Sequence, residues 1–425
     1  MKIAIVGSGI SGLACAYYLH RDHEVHVFEA NPRIGGHTAT VDVKVGGKTY
    51  AIDTGFIVYN DWTYPNFIEL MDEIGVERDP TSMGFSVTDR VTGLEYAGNN
   101  LDALFAQRKN LVSPRFLGML RDIVRFNKRA VQDLESGAIS ASATLGQYLR
   151  EQGYGKAFTD QYLVPMGSAI WSADTDAMLE FPLQFFVRFF RNHGLLNIRN
   201  RPQWRVIRGG SREYLGPLTE GFKDRLHTNS AVRGIQRHHN GAQVSFDNGR
   251  SEHFDQVVLA CHSDQALAML QDPSPGENAI LGAMRYQDNE VVLHTDIRLL
   301  PRNRNTWSSW NYLLTAREQR AILTYNMNIL QNINAPETFC VTLNHSNAIN
   351  PHKILGRFNY AHPVFTLEGV AAQERWSEIN TGPTWYCGAY WHNGFHEDGV
   401  RSARRVADAI LGKTRNSQPK LVSAA

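Results

Sequence analysis

Apolar and polar positions follow two different periods along this chain, and the changes of period divide it into segments. Residues 2–6 form an apolar run typical of a buried strand, and apolar positions at helical spacing follow through Leu19. Residues 25–28 form a second apolar strand that ends at Glu29. The order strand, glycine-rich turn, helix and strand predicts a βαβ unit. This order favours a folded segment over a secretory signal peptide, the alternative interpretation of an apolar run after Lys2.

Alternation with period two marks further strands. Residues 40–53 alternate on both sides of a Gly-Gly pair, which predicts a hairpin with a two-residue turn. Residues 231–254 contain three alternating runs separated by Asn-Gly and Asp-Asn-Gly, which predicts a three-stranded β-meander. Residues 257–260 then form a short apolar run of buried-strand type.

Helical spacing dominates the regions between these strands. Residues 61–200 are predicted to be mainly helical, with one helix after Pro114 and a phenylalanine-rich block at 178–190. A further helix is predicted at 399–411, and the polar tail, residues 414–425, is predicted to be disordered. The apolar residues that recur at helical spacing after Pro114 are Phe116, Leu117, Leu120, Ile123, Val124, Val131 and Leu134.

Length and composition restrict the class of protein. A chain of 425 residues exceeds what one hydrophobic core usually supports, so we expect two domains. The formal net charge is +1, from 43 basic and 42 acidic residues, which argues against a nucleic-acid-binding protein. The four cysteines are scattered without a CxxC pair, so we expect neither a disulfide framework nor a metal site. A reduced, cytoplasmic location is the expectation.

The small net charge hides two basic segments. Residues 108–129 contain seven basic residues and one acid, and residues 185–208 contain six basic residues and no acid. Both segments interleave Phe and Leu with the charges, a pattern typical of elements that lie on an anionic membrane surface. A core-facing apolar stripe with a solvated basic face is the alternative, and nucleic-acid contact is a third. The first interpretation predicts a protein that is peripheral to the inner face of the membrane.

The chemistry of the chain begins in the turn of the βαβ unit. Gly7, Gly9 and Gly12 form a GxGxxG pattern between strand and helix, and Glu29 ends the next strand. Gly7 permits the tight turn, Gly9 lets a pyrophosphate approach the backbone, and Gly12 lets helix and strand pack closely. The helix N-terminus offers N–H groups to the anion, and Glu29 accepts from a ribose hydroxyl. The pattern therefore predicts a dinucleotide site, against the alternative of a glycine turn without a ligand.

Two further segments favour FAD. Arg33-Ile34-Gly35-Gly36-His37 supplies another close backbone approach, with Arg33 and His37 placed to contact phosphate or the ribityl chain. Asp53-Thr54-Gly55-Phe56 supplies small residues that suit a flat ring. With these motifs the sequence resembles the flavin amine-oxidase-like superfamily, which includes monoamine oxidases, protoporphyrinogen oxidase and phytoene desaturases. The resemblance implies FAD as a non-covalent cofactor, and Cys387 is expected to be a core residue rather than a flavin attachment point.

The resemblance continues to the C-terminal part of the chain. Residues 208–211 look like the family's second Gly-Gly segment, and residues 394–400 look like the segment whose helix N-terminus points at the flavin. Asp398 has the alternative role of a helix N-cap. The implied cofactor-binding residues are Gly7, Ser8, Gly9, Ser11, Gly12, Glu29, Ala30, Arg33, Gly35, Gly36, His37, Thr54, Gly55, Phe56, Val232, Gly388, Asp398, Gly399 and Val400.

The segments NHGLL (192–196), SSWNY (308–312) and GFHEDG (394–399) resemble a bacterial branch related to fatty-acid desaturases and isomerases. This resemblance implies hydride transfer between a substrate C–H and flavin N5, on a fatty acyl chain or phospholipid. Amine oxidases of the superfamily usually place a lysine near N5, and the sequence has no lysine between Lys223 and Lys353. An oxidase of an amine or another small hydrophobic molecule is one alternative. A non-enzymatic, FAD-stabilised lipid-binding partner of another enzyme is the other.

The fold class that follows is α/β. We expect an FAD-binding Rossmann-type domain with the β-meander, built from 1–60, 205–275 and 380–413. An α+β substrate domain with the helical block is expected from 61–204 and 276–379. The sequence identifies no catalytic residue and predicts no oligomeric state. Polar and aromatic residues expected to line the substrate pocket, or alternatively to be packed in the core, are Trp171, His193, Trp204, Trp310, Asn311 and Tyr325.

Overall fold

The computed structural model describes residues 1–315 and 322–413, so the tail 414–425 lies outside the described residues. The strands are β1 (Lys2–Val6), β2 (Glu24–Phe28), β3 (Thr40–Val45), β4 (Lys48–Asp53), β5 (Val58–Asn60), β6 (Arg78–Thr81), β7 (Phe85–Asp89), β8 (Leu94–Ala97), β9 (Trp204–Ile207), β10 (Leu226–His227), β11 (Val232–His238), β12 (Gly241–Phe246), β13 (Ser251–Phe254), β14 (Gln256–Leu259), β15 (Arg285–His294), β16 (Trp310–Leu314), β17 (Ile322–Asn326), β18 (Cys340–Leu343), β19 (Ile354–Val364) and β20 (Thr384–Tyr386).

The α-helices are α1 (Ile10–Leu19), α2 (Pro65–Glu73), α3 (Leu101–Leu104), α4 (Pro114–Glu135), α5 (Leu145–Glu151), α6 (Lys156–Phe158), α7 (Val164–Trp171), α8 (Thr175–Leu179), α9 (Leu183–Asn192), α10 (Leu215–Thr219), α11 (Ser263–Met269), α12 (Pro275–Ala283), α13 (Met327–Leu330), α14 (Leu367–Gln373), α15 (Trp376–Ile379) and α16 (His396–Ile410).

A parallel sheet is formed by strands that are far apart in sequence. Its strand order is β10-β2-β1-β14-β20, and each neighbouring pair is parallel. Ile3 to Ile5 and Val257 to Leu259 are completely buried, because both faces of these strands are covered. This is why the strands are apolar without alternation. The predicted α/β fold class is confirmed.

The predicted hairpin and meander are present as separate small sheets. β3 pairs with β4 across Gly46 and Gly47, whose φ values of 57° and 77° suit a tight hairpin turn. β11, β12 and β13 form the antiparallel meander and together span 232–254, against the predicted 231–254. These elements were predictable because their turn residues act locally.

A seven-stranded sheet accompanies the helical block. Its order is β19-β15-β18-β17-β16-β7-β8. The expectation of a mainly helical region at 61–200 missed β6, β7 and β8, which occupy 78–97. β7 is a strand because it pairs in parallel with β16, more than 200 residues later, and local spacing carries no sign of such a partner. The domain boundaries stay a prediction.

The helical block packs around an aromatic core. α4 buries Phe116, Met119 and Phe126, and α9 buries Phe186, Phe189 and Phe190 in the same cluster. Leu117 and Val124 lie outside the buried side of α4, with 42% and 54% of their surface exposed. Within the described part of the chain, no helix is both long enough and apolar enough to cross a membrane.

Candidate functional site

The turn between β1 and α1, together with the first turn of α1, holds three glycines in different surroundings. A Cβ on Gly7 would lie 2.7 Å from the Ala260 carbonyl oxygen, and one on Gly12 would lie 2.0 Å from the Gly7 oxygen. A Cβ on Gly9 would meet nothing within 4 Å. Gly9 precedes α1 without a side-chain cap, so the first N–H groups of this helix face that open space. Of the other predicted turn residues, Ser8 is completely buried and Ser11 is nearly so.

The second glycine pair lies against this turn. Gly35 pairs with Gly9 in an isolated parallel bridge, and the Gly35 N–H donates to the Ser8 oxygen at 2.9 Å. A Cβ on Gly36 would approach the Gly9 Cα to 3.1 Å. The Arg33 guanidinium donates to the Gly36 oxygen at 2.9 Å, so it holds the loop that carries the pair.

Glu29 closes the other side of the turn. Its carboxylate is buried and accepts from the Ser8 N–H at 3.1 Å and the Ser8 hydroxyl at 2.6 Å. The other oxygen accepts from the backbone and side chain of Asn31. Ala30 is exposed, and Val232 is half-buried at the start of β11. The Ser230 N–H donates to the Glu29 carbonyl oxygen, which brings the start of β11 beside the end of β2.

The N-terminus of α16 packs onto the N-terminus of α1. A Cβ on Gly399 would meet Ile10 Cγ2 at 2.7 Å, so this glycine sets the close approach. Val400 is completely buried, and the Gly388 N–H donates to Ser402 Oγ at 3.0 Å. The N-cap residue of α16 is Phe395, and Asp398 is the third residue of the helix, so the predicted alternative of Asp398 as the N-cap is wrong by position. Asp398 Oδ2 accepts from the Phe395 N–H at 2.9 Å and so caps the helix from within its first turn. Burial raises the pKa of Asp398 to about 7.

The segment 54–56 contacts His37 directly. The Phe56 N–H donates to the His37 oxygen at 2.8 Å, and the Phe56 ring stacks on His396 at 3.5 Å. A Cβ on Gly55 would lie 2.1 Å from the His37 oxygen. Thr54 is buried and its hydroxyl bonds to the Tyr360 hydroxyl at 2.9 Å. The structure therefore brings these four predicted residues together.

His37 lies in a cluster of three histidines with His262 and His362. Its ring centroid lies 5.6 Å from that of His362 and 5.9 Å from that of His262. Burial, together with the two neighbouring rings, lowers the pKa of His37 to about 3, and burial lowers that of His362 to about 4, so both rings are neutral at pH 7. Among the described residues, no group of three or more His, Cys, Asp or Glu side chains could hold a metal ion.

An apolar pocket reaches this cluster from the helical block. Its volume is about 10 Å³, which is the size of a single water site, so a larger ligand has to displace side chains. Aromatic and aliphatic groups dominate the wall. The lining residues are Trp171, Ala173, Ala177, Phe181, Gln287, His362, Pro363, Val364 and Phe365.

The predicted pocket residues separate into two groups. Trp171 lines the pocket and lies 4.7 Å from Phe189, on which His193 stacks at 3.8 Å. His193 is buried and bonds through Nδ1 to the Phe189 oxygen at 2.9 Å. Burial lowers its pKa to about 4.

The other group lies away from the pocket lining. Trp310 and Tyr325 face each other across β16 and β17, with ring centroids 5.4 Å apart. Asn311 is buried within the sheet, where it accepts from Ser86 and Ser308 and donates to backbone oxygens. Trp204 is half-buried in β9.

A sequence model of the family "Flavin containing amine oxidoreductase" matches residues 10–293. The chain belongs to this family. The predicted membership of the flavin amine-oxidase-like superfamily and the predicted cofactor, FAD, are thereby confirmed.

The relatives differ in substrate. The Mycobacterium tuberculosis protein named "Putative flavin-containing monoamine oxidase AofH" is 26% identical over 285 residues, which are 64% of this chain and 59% of that protein. The chain thus spans less than two thirds of the curated relatives it matches. Cyclohexylamine oxidase from Brevibacterium oxydans shares the fold with a TM-score of 0.69 at 18% identity, covering 97% of this chain and 99% of the other. A CLA-producing fatty acid isomerase from P. acnes shares the fold with a TM-score of 0.68 at 14% identity. The match covers 96% of this chain and 98% of the isomerase.

The residues present fit the cofactor of this amine oxidoreductase family. The open space over Gly9, beside two helix N-termini, suits the pyrophosphate of FAD. His37 Nε2 and the Tyr390 hydroxyl are buried without a hydrogen-bond partner among the described residues, so both groups are available to a polar ligand. The glycine turn, Glu29 and the α16 N-terminus would hold FAD.

Sequence reasoning missed Tyr360 and His362. They follow Phe358 at alternate positions of β19, which places all three on one face of that strand. This period-two pattern could have identified the face. The position of this face opposite His37 depends on contacts between residues that are more than 300 positions apart in the sequence. No local pattern contains that information.

Proposed function

We propose that this protein is an FAD-dependent oxidoreductase that moves a hydride between a substrate C–H and flavin N5, and that its substrate is a fatty acyl chain. FAD, when bound, supplies the hydride acceptor. The observation that carries the proposal is the apolar pocket that ends at His362, next to His37 and the predicted cofactor residues.

The lining of the pocket supports an acyl chain as the substrate. Trp171, Phe181 and Phe365 make much of the wall aromatic, and the polar members are Gln287 and a neutral His362. Among the described residues that line the pocket, none is Asp, Glu, Lys or Arg, so a hydrocarbon chain is better matched than a charged amine. These side chains orient the chain and exclude water; the polar end of the substrate is left at the mouth.

Oxidation of an amine is the second candidate, because relatives in the family carry that name. The fold does not distinguish an amine substrate from an acyl substrate, because amine oxidases and a fatty acid isomerase match it equally well. The absence of lysine between Lys223 and Lys353 favours the acyl chain.

A matched pair of substrates tests the proposal. The FAD-loaded protein is mixed anaerobically with oleic acid or with oleylamine, which share one chain and differ in the polar end. We expect the fatty acid to bleach the visible flavin absorbance or to yield a shifted double bond in mass spectrometry of the products. Reaction with the amine alone would establish the second candidate. Lipid binding with neither change would establish a non-enzymatic lipid-binding protein.

The pocket is tested by filling its mouth. Ala177 is an exposed residue of α8 that lines the pocket, and Ala409 is an exposed residue of α16 elsewhere. We expect Ala177→Trp to lower kcat/KM for the acyl chain at least about tenfold, because the indole occludes the entrance. Ala409→Trp is the matched control and should leave it unchanged. Equal turnover by both variants would exclude this pocket as the substrate site.

A further inference from the structure

Large apolar side chains are exposed in one concentrated region. Five of the eleven that are exposed in the described residues fall between positions 101 and 124. Val112 is 81% exposed and Leu111 is 52% exposed, directly before α4. Contiguous exposed apolar groups mark interaction sites more often than isolated ones do. We define the α4 face as Lys109, Leu111, Val112, Leu117, Val124 and Lys128.

Helix geometry fixes the orientation of the part of this face that lies on α4, whereas Lys109, Leu111 and Val112 lie in the turn before the helix. Leu117, Arg121, Val124 and Lys128 are spaced i, i+4, i+7 and i+11, which places them along one side of α4. The opposite side is anchored in the core. Its buried residues are Phe116, Met119, Asp122, Phe126 and Ala130.

The charge of the region is positive at the surface. Lys109 and Lys128 are exposed and form no ion pair with another described residue. The single acid of residues 108–129, Asp122, is buried and accepts from the Gly155 N–H at 2.9 Å. Exposed cations thus alternate with exposed apolar groups.

The second basic segment, residues 185–208, is different. Phe186, Phe189 and Phe190 are buried in the core, so its aromatic groups face inward. Arg191 forms an ion pair with Glu135 at 2.7 Å. This segment matches the alternative of a core-facing stripe with a solvated basic side.

We propose that the α4 face docks on an anionic lipid bilayer. Its lysines match headgroup phosphates, and its Leu and Val side chains match the boundary of the acyl region. The inference rests on the proposed function in one respect: a bilayer is the source of acyl chains. Phe126 of α4 lies 6.5 Å from Phe186, which lies 5.9 Å from Trp171 of the pocket, so one layer of helices separates the face from the pocket.

Vesicle binding by the full-length, FAD-loaded protein tests the charge of the face. The probes are vesicles of phosphatidylcholine alone and of phosphatidylcholine with about a quarter phosphatidylglycerol. We expect binding to the anionic vesicles that weakens as salt is raised. Lys109→Gln combined with Lys128→Gln should weaken it about 30-fold. Lys44→Gln combined with Lys48→Gln, on the exposed β3–β4 hairpin, is the matched control and should have no effect.

A second pair of variants tests the apolar part. Leu117→Gln with Val124→Gln should weaken binding at least about tenfold without changing charge. Leu355→Gln combined with Leu367→Gln, at exposed positions elsewhere, is the matched control and should leave vesicle binding unchanged. Equal binding to both kinds of vesicle, unchanged binding by the Lys109 and Lys128 variant, or tighter binding of duplex DNA at the same salt would overturn the proposal. Because no turnover is measured, this result is independent of the oleate test.

Discussion

At the scale of single residues, the three glycines of the first turn have separable roles. Gly7 and Gly12 have to be glycine because backbone atoms occupy the space that a Cβ would need. Gly9 instead faces open space. The spacing pattern predicted all three positions. It could not predict that Ser8 and Asn31 hold the carboxylate of Glu29, because a pattern locates a Cα and not the partners of a side chain.

Gly9→Ala should therefore impair cofactor binding without impairing the fold. Its φ of −68° is accessible to alanine, and the added methyl meets no protein atom. We expect apoprotein of unchanged melting temperature and at least about tenfold weaker FAD binding, since the methyl excludes the anion from the backbone. Visible absorbance of the purified protein and thermal unfolding of the apoprotein measure the two effects.

Gly12→Ala is the contrast for that experiment. Its Cβ would lie 2.0 Å from the Gly7 oxygen, so the apoprotein itself should melt at lower temperature. Full FAD occupancy in the Gly9 variant would contradict the placement of the pyrophosphate.

At the scale of elements, the contact between α1 and α16 joins the two ends of the described chain. The sequence predicted both helices, and the glycine at 399 appeared as part of a family motif. Its packing against Ile10 could not be predicted, because helical period gives the face that is buried but not the helix that covers it.

Gly399→Ala should destabilise the protein by about 1–3 kcal/mol, because its Cβ would meet Ile10 and Ser11 below 3 Å. Gly118→Ala is the matched control, a glycine in the second turn of α4 whose Cβ would meet nothing within 4 Å. That variant should be neutral or stabilised by up to about 1 kcal/mol. Urea unfolding of both apoproteins measures the difference. Equal stability of the two would contradict the close approach.

At the scale of the whole molecule, buried neutral histidines make stability depend on pH. His193 and His362 have pKa values lowered to about 4 by burial, against about 6.5 in the unfolded chain. Below pH 6.5 the unfolded state takes up protons that the folded state does not. Each such group therefore adds stability that increases between about pH 4 and pH 6.5 and is constant above.

His193→Phe isolates one of these contributions. Phenylalanine keeps the stacking on Phe189, and the Phe189 oxygen retains its bond from the backbone N–H of residue 193. Between pH 7 and pH 5 the variant should lose about 2 kcal/mol less unfolding free energy than the natural protein. Urea unfolding at the two pH values measures the slopes, and identical slopes would contradict a buried, neutral His193.

The parallel sheet has a consequence for biosynthesis. β1 and β2 lie near the start of the chain, but β14 and β20 complete the same sheet only after residue 386. This is a fold of high contact order, so the parallel sheet cannot be completed until residue 386 has been synthesised. Acquisition of FAD then has to follow the synthesis of β20. A truncation before α16 would leave the apolar surface of α1 uncovered, which makes such fragments prone to aggregation and degradation.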